Sequence, residues 1–134
     1  MGHQPTLQGV FWVALGGAAG SLLRYVTNFG VESLNPEGLL LTATAVENVL
    51  GSFLMGLLFI ILTHRYTSGN LNLFLVTGLI GSYTTYSGFG VEAFLIHDES
   101  PILFFSYIFS QVITGVVALF CGMWIGRRFV NHQE

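Results

Sequence analysis

The residues best suited to chemistry form one run, Gly78-Leu79-Ile80-Gly81-Ser82-Tyr83-Thr84-Thr85-Tyr86-Ser87-Gly88-Phe89-Gly90, inside an otherwise apolar segment covering about residues 71–96. Backbone groups left unpaired in hydrocarbon cost several kcal/mol each, so a helix breaks at membrane depth only where protein or a water-filled path covers it. Discontinuous transporter helices use freed carbonyls and half-helix ends to hold ions. The run therefore predicts a helix break at a transport site. Tyr86 and Phe89, three apart, share a helical face, with the hydroxyls of Thr84, Thr85 and Ser87 nearby. The competing reading is a glycine-rich packing face whose hydroxyls bond back to the preceding turn.

A second set of polar residues lies deep in another apolar stretch, about residues 39–63. Thr44 and Asn48 are one turn apart on one face, while Glu47 points about 100° away from Asn48. An intramembrane carboxyl is costly, which makes Glu47 a functional candidate; otherwise it is a structural carboxyl, neutral or paired with Arg24. Asn48 serves either a pathway or an interhelical hydrogen bond. Arg24 sits about a turn inside the end of the first apolar segment. Its stem can snorkel to the headgroups, or its guanidinium can face an aqueous vestibule and attract anions.

These residues need apolar elements to position them, and the composition supplies little else. The 134 residues are 52% hydrophobic and 8% charged, against about 25% charged in soluble domains. That balance predicts an all-α membrane protein with a single domain, residues 1–134, and no room for a soluble module. The net charge is −3, lysine is absent and the four arginines are scattered except for Arg127-Arg128, which excludes a phosphate-tracking surface and argues against nucleic acid as a partner. The lone Cys121 reads as a small buried hydrophobe. His64 and His97 stand at segment ends without metal-ligand spacing, and no acid, base and nucleophile share one depth, so no enzyme is expected.

Four segments are expected, covering about residues 7–28, 39–63, 71–96 (the broken one) and 101–126, each long enough for roughly 30 Å of hydrocarbon. The polar tail Met1-Gly2-His3-Gln4-Pro5-Thr6 lacks the features of a signal peptide and is expected to stay on the chain; its match to the myristoylation pattern is short. In the first segment Gly16-Gly17-Ala18-Ala19-Gly20 predicts close approach of another helix, and in the second Gly51, Ser52 and Gly56 form a packing ridge. Asn35-Pro36 marks a turn in an acidic loop. In the fourth segment Ser106, Ser110 and Thr114 share one face and Tyr107, Gln111 and Gly115 the neighbouring one.

The glycine-rich first segment ending in Arg24-Tyr25, Thr44 with Asn48 and Gly51-Ser52-Phe53, and the Thr84-Thr85-Tyr86-Ser87-Gly88-Phe89-Gly90 break together resemble the Fluc/CrcB family of bacterial fluoride channels. The resemblance spans all four segments. It implies four transmembrane helices with the third broken, an antiparallel dual-topology dimer in the inner (plasma) membrane, and fluoride export along two pathways at the subunit contact. It also implies a structural Na+ at the dimer centre held by the Gly81 and Thr84 carbonyls. On the same basis Phe89 and Tyr86 are the pore aromatics, Asn48 the pore amide, Ser87 and Thr44 hydroxyls on the path, and Arg24 the vestibule cation. The sequence departs from the family pattern in carrying Glu47 before the asparagine, Tyr86 in place of phenylalanine, and Gln111 in place of serine.

The chemistry agrees with this resemblance. Fluoride is strongly hydrated, and a pore must replace its water with donors such as an amide, hydroxyls and the electropositive edges of aromatic rings. A fixed monovalent cation raises anion occupancy, and weak multiple contacts let the ion leave. Two alternatives remain: a small multidrug-type proton-coupled cation exporter using Glu47, and a non-conducting subunit of a heterodimeric channel. With both termini on one side, Arg65, Arg127 and Arg128 share that side, a bias toward one orientation that suits pairing with an oppositely inserted paralogue.

Overall fold

The computed structural model describes residues 6–34, 42–65, 69–97 and 100–131, which are almost entirely helical and contain no strand. The elements are α1 (Leu7–Leu34), α2 (Ala43–Arg65), α3 (Gly69–Asn72), a π-helical run (Leu73–Ile80), α4 (Gly81–Tyr83), α5 (Tyr86–His97) and α6 (Pro101–Asn131). The expected turn at Asn35-Pro36, the acidic residues Glu37, Asp98 and Glu99, and residues 1–5 of the tail lie outside the described residues.

Local chemistry sets the helix starts. The Thr6 hydroxyl accepts from Gly9 N–H at 3.1 Å and the Thr42 hydroxyl from Ala45 N–H at 3.1 Å, each satisfying an orphan donor of a first turn. Pro101 opens α6, where its missing N–H costs nothing. Two helices outlast their expected ends. α1 continues to Leu34 because no proline intervenes before Pro36, and α6 continues to Asn131, with Val130 buried and Arg128 lying over the Trp124 ring at 4.2 Å.

α1, α2 and α6 are long and apolar enough to cross a membrane. Few apolar side chains are buried in the single chain (Ile60, Leu62, Ile80, Tyr83, Ala93 and Val130 among them), whereas α1, α5 and α6 turn Leu22, Phe94, Phe109 and Phe120 outward. That inverted distribution belongs to a multi-pass membrane protein rather than a water-soluble bundle. Cys121 is on an exposed face of α6, not buried as the sequence suggested, because Gly122 beside it takes the inward position against the Phe53 carbonyl.

Small residues set the packing. A side chain at Gly16 would run into the Phe74 carbonyl and one at Gly20 into the Leu79 carbonyl, so the expected close approach of α1 is made to the π-helical run. Contacts of α1 with this run and α4 advance together (Gly16 with Phe74, Gly20 with Leu79, Ser21 with Ser82, Thr27 with Tyr83), so the two run parallel. α2 and α6 are also parallel, with Phe53 against Gly122 and Ile60 against Gly126. Against residues 84–88 α2 is antiparallel: Gly51 meets Thr84, Asn48 meets Thr85 and Thr44 meets Gly88.

Candidate functional site

The site forms where the third segment loses its helical ladder. The sequence predicted a helix break within the Gly78–Gly90 run; a π-helical run leads into it, with Gly81 N–H bonding the carbonyls of Gly78 and Val76. The break falls at Thr84-Thr85. Thr84 is extended at φ −73°, ψ 153°, a conformation open to any residue, so no glycine is required there. Gly81 is itself helical, at φ −59°, ψ −28°.

The two threonines divide the work. Thr84 closes the first half, its N–H and its hydroxyl each donating to the Ile80 carbonyl at 3.1 Å. Thr85 opens the second half: its hydroxyl accepts from Gly88 N–H at 3.0 Å, the geometry of a helix N-cap, and lies 3.1 Å from the Ser87 hydroxyl. The backbone of Thr85 is then clasped from α2. Its N–H donates to Asn48 Oδ1 at 2.8 Å and its carbonyl accepts from Asn48 Nδ2 at 3.1 Å. Thr85 N–H, which would bond the Gly81 carbonyl in an unbroken helix, is given to Asn48 instead. Ser21 with Ser82 (2.9 Å) and Thr27 with Tyr83 (3.2 Å) fasten the preceding turn to α1 through hydroxyl pairs.

Two cavities flank the clasp, and Thr85 lines both. One, of about 430 Å³, is lined by Asn48, Thr84, Tyr86, Phe89 and Gln111, with Ser52 and Gly115 facing each other between α2 and α6. Tyr86 and Phe89 share a face as predicted, with ring centroids 5.7 Å apart, and Phe89 stacks on Tyr107 of α6 at 5.6 Å. The Tyr86 ring is 85% exposed in the single chain. Of the fourth-segment faces, the one bearing Tyr107, Gln111 and Gly115 meets the site, whereas Ser110 and Thr114 bond back to their own helix.

The other cavity, about 420 Å³, is lined by Arg24, Asn28, Thr44, Glu47, Ser87 and Glu92. The 100° step between Glu47 and Asn48 thus carries them into different cavities, and Thr44, one turn from Asn48, goes with Glu47. Arg24 and Glu47 share the cavity and act on one another electrostatically, yet Glu47 Oε1 has no hydrogen-bond partner among the described residues. The pairing with Arg24 that the sequence offered is not made through Glu47 Oε1. Gln111 Oε1 is likewise buried without a partner among the described residues.

Glu92 is the residue that sequence reasoning missed. It lines the Arg24 cavity and accepts a hydrogen bond from the Tyr107 hydroxyl, joining α5 to α6. Its signal was available, since a carboxyl inside an apolar segment is as rare there as in the second. No group of three or more His, Cys, Asp or Glu able to hold a metal exists among the described residues.

Residues 11–123 match the family described as CrcB-like protein, Camphor Resistance (CrcB). The chain is 36% identical to the Fluoride-specific ion channel FluC of Mesorhizobium japonicum over 86% of this chain and 93% of that one. It is 38% identical to the Fluoride-specific ion channel FluC of Flavobacterium psychrophilum over 89% and 97% of the two chains, and 34% identical to the Fluoride-specific ion channel FluC 2 of Bacillus subtilis over 91% and 90%.

Proposed function

From the premise that this chain belongs to the CrcB-like protein family, we propose that it is a fluoride-selective channel releasing F⁻ across the cell's inner membrane as an antiparallel dimer. The observation that carries this reading is the Asn48 clasp on Thr85, which holds a helix break between two cavities that share Thr85, one lined mainly by apolar and aromatic side chains and the other by charged and hydroxyl groups. The parallel pairs α1 with the π-helical run and α2 with α6 support four crossings, with the third made jointly by residues 69–97.

Each group in the pathway has a stated task. Arg24 draws anions into the cavity it shares with Thr44 and Ser87, whose hydroxyls replace water on the ion. Asn48 spends one N–H on Thr85 and has a second for the ion, while Phe89 and Tyr86 offer ring edges. The outward Tyr86 and the lipid-compatible faces of α5 and α6 suit a second subunit and surrounding lipid. Stacking on Tyr107 fixes the Phe89 ring, so the donors are set before the ion arrives.

The backbone at the break fits a central Na⁺. The Thr85 N–H that would bond the Gly81 carbonyl in an unbroken helix goes to Asn48, Thr84 turns extended, and neutral oxygens suit a hard monovalent cation. Gly81 and Thr84 would hold it, and its charge would raise fluoride occupancy nearby.

Fluoride efflux from liposomes loaded with fluoride, measured beside quaternary-ammonium transport, tests the reading. Rapid fluoride release without organic-cation movement is expected. Proton-dependent cation transport abolished by Glu47→Gln would instead establish the multidrug-type exporter. The shared side of Arg65, Arg127 and Arg128 favours one insertion direction, and with it a second form of the channel in which an oppositely oriented paralogue completes the dimer.

A further inference from the structure

Glu47 is the most deeply buried charged residue described, at 1% exposure, and the pathway outlined above gives it no task. Its Oε1 has no hydrogen-bond partner among the described residues, and its side chain lines the cavity it shares with Arg24. Around it, α1 presents the Arg24 guanidinium and the Asn28 amide, and α5 presents Glu92 and the Ser87 hydroxyl. Behind Glu92 stands Tyr107 of α6, and α2 itself adds only the Thr44 hydroxyl.

The charges in this cavity do not balance for an anion. Two carboxylates against one guanidinium leave one net negative charge in a space that must admit fluoride, and a partly dry cavity screens that repulsion poorly. The two carboxyls are not equivalent. Glu92 accepts a hydrogen bond from the Tyr107 hydroxyl, whereas no described residue donates to Glu47 Oε1. A carboxylate can only accept hydrogen bonds; its acid form has an O–H to give.

We propose that Glu47 holds a proton in the conducting channel, and that its O–H, the Arg24 guanidinium and the Thr44 and Ser87 hydroxyls make an anion-binding site that exists only in this acid form. The proposal rests on the fluoride-channel reading and deepens it by making the site proton-loaded. With the proton on, the cavity is neutral overall and lined by donors; with it off, the same residue repels the ion. Flux therefore falls as pH rises through the loss of that proton. Glutamine keeps a neutral donor at the position and cannot lose it, so Glu47→Gln locks the site in its binding form.

Fluoride efflux is measured from liposomes holding the dimer between about pH 6 and pH 9, with protein-free liposomes subtracted for passage of HF through lipid. The wild type should lose about tenfold or more in flux toward alkaline pH, a modest share of the repulsion available in the cavity. Glu47→Gln should stay at the wild type's acid-side level throughout. In parallel, infrared spectra of the wild type should show a protonated-carboxyl C=O stretch that fades with the same midpoint, persists in Glu92→Gln and vanishes in Glu47→Gln. Superimposable wild-type and Glu47→Gln profiles, or a C=O stretch untouched by Glu47→Gln, overturn the proposal. Absence of flux from the wild type at every pH overturns the channel reading instead, and the infrared titration still decides whether Glu47 holds the proton.

Discussion

Replacing Asn48 by Asp tests the clasp and the pathway together, because the two side chains have the same shape. The aspartate can still accept from Thr85 N–H, now 2.8 Å from Asn48 Oδ1. It cannot donate to the Thr85 carbonyl, and the 3.1 Å contact from Nδ2 becomes two oxygens facing each other. Thr85 is 8% exposed, so its carbonyl has little access to water and the loss should destabilise the fold by about 1–3 kcal/mol. The effect on fluoride is larger. A carboxylate about 4 Å from the ion, at an effective dielectric near 20, opposes it by about 4 kcal/mol, roughly a thousandfold in occupancy. The expected outcome is a folded dimer by size-exclusion chromatography, a modest drop in denaturation midpoint, and fluoride efflux reduced by about two to three orders of magnitude. Efflux within a few fold of wild type from an assembled Asn48→Asp dimer would refute the placement of Asn48 beside the ion, and with it the repulsion expected from a carboxylate there.

Other substitutions separate pathway from packing. Phe89→Ile keeps bulk but removes the ring edge and the stack on Tyr107, and should cut liposome flux by about tenfold or more, whereas Ser52→Ala, on the packing ridge that meets Gly115 of α6, should leave it nearly unchanged. A Cβ at Gly51 would run into the Thr84 side chain, so Gly51→Ala should destabilise by about 1–3 kcal/mol in an unfolding titration and lower flux by displacing the break. A cysteine placed in the N-terminal tail of a Cys121-free background should label from the cytoplasmic side alone in intact cells; comparable labelling from both sides would rule out a fixed orientation and leave the homodimer.

Parts of the site were legible in the chain because they depend on composition and helical period. An apolar sequence with 8% charge dictates helices in a bilayer, since no other open structure satisfies its backbone there. The Gly16–Gly20 spacing specified a close contact, and the 100° step set Glu47 apart from Asn48; both follow from helix geometry alone. The break was expected within the run from Gly78 to Gly90, and it falls at Thr84-Thr85.

What made the break was not legible. The run offered glycines and hydroxyls together, but the structure uses Gly78 and Gly88 for close packing and gives the break to a threonine that caps α5 and an asparagine 37 residues away. That pairing depends on how α2 crosses residues 84–88, and neither segment encodes the crossing by itself. The π-helical run arises under the same constraint, where Gly16 and Gly20 of α1 seat directly on its carbonyls. The Glu92–Tyr107 bond and the Glu47 Oε1 left without a partner among the described residues were decided in the same way. A sequence specifies which polar groups enter the hydrocarbon, because burying each one is costly wherever it lands. Only the tertiary structure decides which of them meet, because a hydrogen bond depends on tenths of an ångström between elements far apart in the chain.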